Sequence, residues 1–486
     1  MELDSYTTGQ TLFRKATPVR RFQEGKSDDV GKSASTKEAC EHHYGGHVTG
    51  IGLHFCKVYS VAAAESAWLE PHSGPLGIFV YGACGAGLMT QKLLRSFLLL
   101  TLLALPAIAQ TDGGSAASHA AGSSYLITND DDAIGQSDTA TFFAIAANGI
   151  LKNPTLVNSG GIGSGGGYFA ANRVNILDSG ATPCVFLSSG TSNTIAGVEI
   201  LTKTVSGNFP ASPTDDGADN GVGMVMNAGY LYASFSTSGT IATFAVEPGC
   251  ELQFLSDISP AGLNGGTVKG MALSGNLLVV TYGDGSIQSF NVSGGVPVPN
   301  GDEQNATGFV TDNYPDGVDI TQDGRYAIFG DASSTGVVEV SDISSGTLTP
   351  TTLYSLSQGI TSGFNSNNVR LSPDGTLIYI SNNSSGQVTA AFFDGATGAV
   401  SPGCSSRSLK GFDAIFSYLS SPVTQQTTGT GAVLYVAEFG QPSAIGVIDV
   451  SVSGGECTLT EAAGSPVADL NSLSLISIGV YPPRSF

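Results

Sequence analysis

The sequence predicts an all-β protein, a seven-bladed β-propeller of four-stranded blades, and three observations carry that prediction. Beyond residue 110, Gly, Ser, Thr, Asn and Val dominate, charge is sparse and no long helical period appears. One strand-turn-strand phrase recurs seven times at a spacing of about 50 residues, longer than a β-solenoid repeat. A last strand phrase, LNSLSLISIGVYP (470–482), has no blade after it and is placed to complete the sheet begun near Tyr125.

The clearest copy runs from Asn367 to Gly403. VRLS leads to a Pro373-Asp374-Gly375 turn, TLIYIS to the turn at 382–386, QVTAAFF to the turn at 394–398, and AVSP ends the unit. Turn chemistry thus separates β-rich runs each time. A lone four-stranded sheet cannot bury its faces, so such a unit requires copies beside it. The second strands of those copies start near Tyr125, Cys184, Leu231, Leu277, Tyr326, Ile378 and Leu434, each followed by a polar turn and a third strand such as TIATFAV or SIQSFNV.

Residues 89–109 read as a secretory signal peptide. Lys92 and Arg95 form a positive start, the apolar run that follows is too short to span a bilayer, and Ala107-Ile108-Ala109 is an A-x-A cleavage site. No Cys follows the cleavage site to carry a lipid. A signal peptide works at a nascent N-terminus, so Met89 is expected to be the start and 1–88 a mis-annotated or disordered prefix; a real cytoplasmic segment is the alternative. Cys40, His42, His43, His47, His54 and Cys56 would suggest a metal site only if that prefix is translated. Residues 110–122 read as a flexible leader and 123–486 as the propeller. The expected location is secreted or periplasmic.

The chain holds 40 acidic against 19 basic residues, a net charge of −21, which argues against nucleic acid and anionic membrane surfaces as partners. A monomer is expected, with a glycan, peptide or protein as partner. Beyond residue 110 the only His is His119, in the leader, and there is no Trp. Four Cys remain there: Cys184, Cys250, Cys404 and Cys457. In an exported chain an even number suggests disulfides, with three pairings open; Cys184 with Cys250 and Cys404 with Cys457 would join neighbouring repeats.

The phrase LSPDGTLIYISNNSSGQVTAAFFDGATG (371–398) resembles the lactonase-type seven-bladed propellers and the related YVTN repeat proteins. The likeness spans about 123–486, is strongest in blades 5 to 7, and implies the fold more than an activity. The family includes 6-phosphogluconolactonases and carboxymuconate cyclase-like enzymes. What the resemblance implies for catalysis is Arg, His and Glu at the inner ends of blades, often in a G-P-R-H phrase. The matching positions here are Tyr314-Pro315-Asp316-Gly317 and Ser366-Asn367-Asn368, with Lys269-Gly270 in blade 4. That acid/base pattern is therefore absent.

The residues left as candidates for a polar central channel are Lys269, Asp316, Asn367, Asn368, Asp413 and Glu438. Asp316, Asp413 and Glu438 would suit Ca²⁺, the one cofactor to consider, and would equally suit a hydrated tunnel. Arg370, mid-strand, reads as a structural salt bridge or as part of an exposed face. The acidic runs at Asn129–Asp132 and Asp215–Gly221 lack EF-hand spacing and read as polar loops, as does Gly160–Gly167, which has no phosphate-loop Lys-Ser/Thr after it. Two functions stay open: a binding module using loops and channel, and a lactone hydrolase or cycloisomerase, with or without a metal.

Overall fold

Seven antiparallel sheets follow one another along the chain and share a common plan. The computed structural model describes residues 124–486 apart from short segments, the longest being 164–171, 211–221, 306–314, 356–365 and 411–417, and apart from some strand side chains, including all of 418–426. The expected signal peptide, leader and prefix lie outside the described residues, as do Asp131, Asp132, Asp215–Gly221 and Asp413.

Blade 1 opens with β1 (Tyr125–Asn129), β2 (Ser137–Ile145) and β3 (Leu151–Ile162). Blade 2 is β4 (Val174–Leu177), β5 (Cys184–Ser189), β6 (Thr194–Glu199) and β7 (Thr204–Pro210). Blade 3 is β8 (Val222–Met226), β9 (Tyr230–Phe235), β10 (Ile241–Glu247) and β11 (Glu251–Ile258). Blade 4 is β12 (Val268–Ser274), β13 (Leu277–Tyr282), β14 (Ser286–Asn291) and a fourth position split between β15 (Val298–Pro299) and β16 (Gln304–Asn305). Blade 5 is β17 (Pro315–Ile320), β18 (Tyr326–Asp331), β19 (Val337–Asp342) and β20 (Thr349–Ser355). Blade 6 is β21 (Ser366–Leu371), β22 (Leu377–Asn382), β23 (Gln387–Asp394) and β24 (Ala399–Ser405). Blade 7 is β25 (Tyr418–Gln426), β26 (Ala432–Phe439), β27 (Ser443–Ser453) and β28 (Glu456–Glu461), with the short β29 (Val467–Asp469) on β27.

The last strand, β30 (Ser477–Tyr481), pairs antiparallel with β1, Tyr125 opposite Tyr481 and Asn129 opposite Ser477. Blade 1 thus takes its innermost strand from the C-terminus, and the ring closes as the sequence predicts, without leaving a sheet edge exposed at the join. The first strands touch in cyclic order, β30, β4, β8, β12, β17, β21, β25 and back to β30, so they line the central axis.

The core is seven-fold as well. Each of seven apolar clusters straddles one seam between neighbouring blades. Phe186 of blade 2 packs with Leu231 and Phe244 of blade 3, and Tyr326 and Ile328 of blade 5 with Val369 and Ile380 of blade 6. Each such side chain contributes about 1.5–3 kcal/mol only when the neighbouring blade covers it. That is why the strands read HHHH rather than alternating: β5, β18 and β22 sit between two covered faces. Tyrosines of the second strands add a polar tie. Tyr232 Oη donates to Gly295 O of blade 4 (2.8 Å) and Tyr435 Oη to Gly149 O of blade 1 (2.7 Å).

The turns between first and second strands explain the SPDG signal. Ser372 Oγ accepts the N–H groups of Thr376 (3.1 Å) and Leu377 (2.9 Å) and donates to Asp374. In blade 5 Thr321 Oγ1 accepts those of Arg325 (3.1 Å) and Tyr326 (2.9 Å) and donates to Asp323 (2.6 Å). A hydroxyl, an Asp two residues on and a Gly one further thus fix the hairpin.

Two disulfides bridge neighbouring blades. Cys184–Cys250 joins blades 2 and 3, and Cys404–Cys457 joins the outer strands β24 and β28 of blades 6 and 7. Cys250 has a left-handed backbone (φ 64°) and its carbonyl presses on Gly197 of β6, where a Cβ would lie 1.9 Å from Cys250 O. Gly197→Ala is expected to destabilise the ring by about 1–3 kcal/mol through this overpacking. A urea melt with an unchanged midpoint would show that the seam yields without cost.

Candidate functional site

A cavity of about 560 Å³ lies on the central axis. It is lined by β30 and by the inner strands β4, β8, β12, β17 and β21, together with Asn172 and Asn227 and the turn residue Gln322. On β8, β12, β17 and β21 the lining falls toward the C-terminal ends, beside the turns that lead to the second strands. The walls mix aliphatic groups, among them Ile176, Met226, Leu273 and Ile320, with the polar groups Asn172, Asn175, Asp319, Gln322 and Arg370.

Arg370 organises those polar groups. Its guanidinium donates from Nη2 to Asn172 Oδ1, which precedes β4, so the side chain reaches across the axis from blade 6 to blade 2. Its Nη1 lies 3.8 Å from Asp319 Oδ1 of blade 5. Asp319 in turn accepts the N–H of Leu371 at Oδ2 (2.9 Å) and of Ile320 at Oδ1 (3.0 Å). Asn175 Nδ2 donates to Asn172 O (3.3 Å) and to Met224 O (3.1 Å), which fixes the far anchor. Arg370 is therefore clamped with its planar fork at the cavity wall. Asp319 is committed as an acceptor from two peptide groups and as counter-charge, so it is poorly placed to act as a general base.

The salt bridge expected of Arg370 is present, but the residue is also the cavity's cation. Of the other sequence candidates, Lys269, Asn368 and Glu438 have described side chains, and none of these three lines the cavity. Lys269 is half-buried near the N-terminal end of β12, away from the cavity lining. Asn368 is buried at the seam between β17 and β21, where the absence of a side chain at Gly317 makes room: a Cβ there would lie 2.5 Å from Asn368 Cα. Asp316 and Asn367 belong to β17 and β21, with side chains outside the described set.

Glu438 sits on β26, second from the axis, and is 1% exposed; a Cβ on Gly446 would meet its Oε1 at 2.6 Å and Leu409 at 2.9 Å. Burial, aided by the Glu461 carboxylate, pushes its pKa up to about 8. It is a buried neutral acid at the seam of blades 6 and 7 rather than a cavity group. Among the described residues no group of three or more His, Cys, Asp and Glu is arranged to hold a metal ion.

Asn172, Asn175 and Asp319 carry no sequence signal of their own, because their meeting is set by the ring. Asp130, read as part of a polar hairpin, is instead fully buried, beside Asp469.

The fold and site define a seven-bladed β-propeller with a guanidinium set across its central channel. No family model and no curated protein sequence matches the chain. Among solved structures it is similar to a protein of unknown function from Desulfotomaculum acetoxidans, with a TM-score of 0.52 and 15% identity over 74% of this chain and 99% of that one. It is similar in the same way to a protein from Lactobacillus plantarum, with a TM-score of 0.51 and 16% identity over 74% and 99%. A putative 6-phosphogluconolactonase from Bacteroides fragilis is also among its structural neighbours, with a TM-score of 0.44 and 14% identity over 57% and 81%. At these identities the likeness is one of fold.

Proposed function

We propose that the protein is an exported binding module whose central cavity takes a small polyhydroxylated molecule bearing a carbonyl or carboxylate, of the size of a sugar acid or sugar lactone. The observation that supports this most is Arg370, fixed between Asp319 and Asn172 at the wall of a cavity of ligand size. A guanidinium fork suits a planar carbonyl or carboxylate. The amides of Asn172, Asn175 and Gln322 suit hydroxyls, and the aliphatic wall suits the C–H face of a sugar ring. The two disulfides support an oxidising compartment. Among the described residues no helix is long and apolar enough to cross a membrane.

Lactone opening would need an activating base and a donor set for the developing oxyanion. Arg370 could serve as the donor, but residues 123–486 contain no His, and Asp319 is committed to peptide N–H groups. Binding without turnover is thus the expected behaviour. A pH-stat assay of the full chain with D-glucono-1,5-lactone, with and without EDTA, checks this: acid release above the spontaneous rate would replace the binding reading with the hydrolytic one.

A further inference from the structure

The loop after β1 and the segment after β29 meet at the closure of the ring. Asp130 and Asp469 are both fully buried there. Three hydroxyls from blade 1 donate to the Asp130 carboxylate: Thr128 Oγ1 to Oδ1, and Thr139 Oγ1 (2.7 Å) and Thr141 Oγ1 (3.0 Å) to Oδ2. The segment leading to β30 is tied to the same place. Asn471 Nδ2 donates to Thr141 Oγ1 (3.2 Å), Ser472 Oγ to Asp130 O (2.8 Å), and Asn471 N to Asp469 Oδ1 (3.3 Å). Thr141 Oγ1 also lies 3.4 Å from Asp469 Oδ1, so one hydroxyl is shared between the two carboxyls, and Asp469 Oδ2 is buried with no donor among the described residues.

We propose that Asp130 and Asp469 share one proton, and that this carboxyl–carboxylate pair is a latch that fastens the closing segment to blade 1 and is released as the proton is lost. The donor count supports it. The hydroxyls of Thr128 and Thr139 serve Asp130 and that of Thr141 is shared with Asp469, whereas Asp469 Oδ2 has no donor among the described residues, a place that a proton held between the two carboxyls would fill. No Lys, Arg or His among the described residues pairs with either carboxyl. The groups facing the pair are the hydroxyls of β1 and β2, the Asn471 amide and Ser472 of the closing segment. Asp138, the other acid on β2, accepts the N–H of Thr139 (3.0 Å). Two ionised carboxylates in this dry contact would repel strongly.

Burial and the neighbouring Asp469 charge push Asp130 up to about 8, and burial raises Asp469, so the titration belongs to the pair. The sign follows. The closed ring holds one proton more than the open one between the ordinary carboxylate range and about pH 8. Closure is fully stabilised below that window and weakens as pH rises through it.

The test is native-state hydrogen exchange of the β30 amides in the full chain from pH 5 to 9, corrected for intrinsic base catalysis. The opening constant is expected to rise about tenfold per pH unit faster than in Asp469→Asn, whose amide donates to Asp130 at every pH. Equal slopes in wild type and variant overturn the proposal. So does Ca²⁺ that slows β30 exchange at pH 7 in wild type and is reversed by EDTA, since a cation rather than a proton would then join the carboxylates. If Asp469→Asn does not fold, the infrared band of a protonated carboxyl decides. It must persist at pH 7 in Glu339→Gln/Glu438→Gln, which removes the two other buried acids whose pKa burial raises to about 8, and its absence there overturns the latch.

Discussion

Glu438→Gln and Glu339→Gln are each expected to stabilise the ring at pH 8 and to destabilise it by about 1–3 kcal/mol at pH 4. Both carboxyls are 1% exposed; among the described residues Glu438 has no partner on either oxygen, and Glu339 has Ser341 on Oε1 (3.2 Å) and none on Oε2. Burial pushes each up to about 8 from an ordinary 4.5. The unfolded chain gives up the proton first. Stability held below pH 4.5 is therefore lost as pH rises towards 8, at about 1.4 kcal/mol per pH unit for each group. Glutamine keeps the shape and never ionises, but its amide also lacks a partner, which costs about 1–3 kcal/mol at all pH values. The melting curves of wild type and variant should cross between pH 5 and 7. Parallel curves would show that the two acids titrate alike in folded and unfolded chains.

Reduction of the disulfides is the second large effect. The bridges close stretches of 66 and 53 residues and fasten blade to blade. Replacing Cys184 and Cys250 together by Ser is expected to cost about 2–5 kcal/mol, with the Cys404/Cys457 pair in the same range. The first pair should lie at the upper end. Its removal also frees the left-handed Cys250 backbone and the buried seam against Gly197, whereas Cys404 and Cys457 are only partly buried. Urea unfolding of the two double variants measures both; a loss below 1 kcal/mol for Cys184/Cys250 would place the stability of that seam in its packing alone.

The ring was legible because its signals are local. Thr321-Gln322-Asp323-Gly324 and Ser372-Pro373-Asp374-Gly375 announce hairpins through bonds spanning no more than five residues. Repetition then makes the number of blades a matter of counting, and the proximity of Cys184 to Cys250 follows from their being in neighbouring blades. The cavity was less legible. Arg370 and Asn172 are 198 residues apart and meet across the axis, a contact that no spacing announces. Which end of the inner strands carries the pocket is a property of the whole ring, so the candidates Lys269 and Asn368 fall away from it. Asp130 looked solvated because its neighbours are acidic, but Asp469 and the hydroxyls of Thr139 and Thr141 come from other strands and bury it.

The most direct test of the account is calorimetric titration of the full chain with D-gluconate and with D-glucono-1,5-lactone, repeated on Arg370→Ala and Arg370→Lys. Saturable binding in wild type is expected. It should weaken about 10- to 100-fold in Arg370→Ala, as loss of a charge-assisted hydrogen bond implies, and recover only in part in Arg370→Lys, which keeps the charge without the fork. Binding that is unchanged in Arg370→Ala, or absent for both probes in wild type, would contradict the assignment of the channel cavity as the ligand site for this class of molecule.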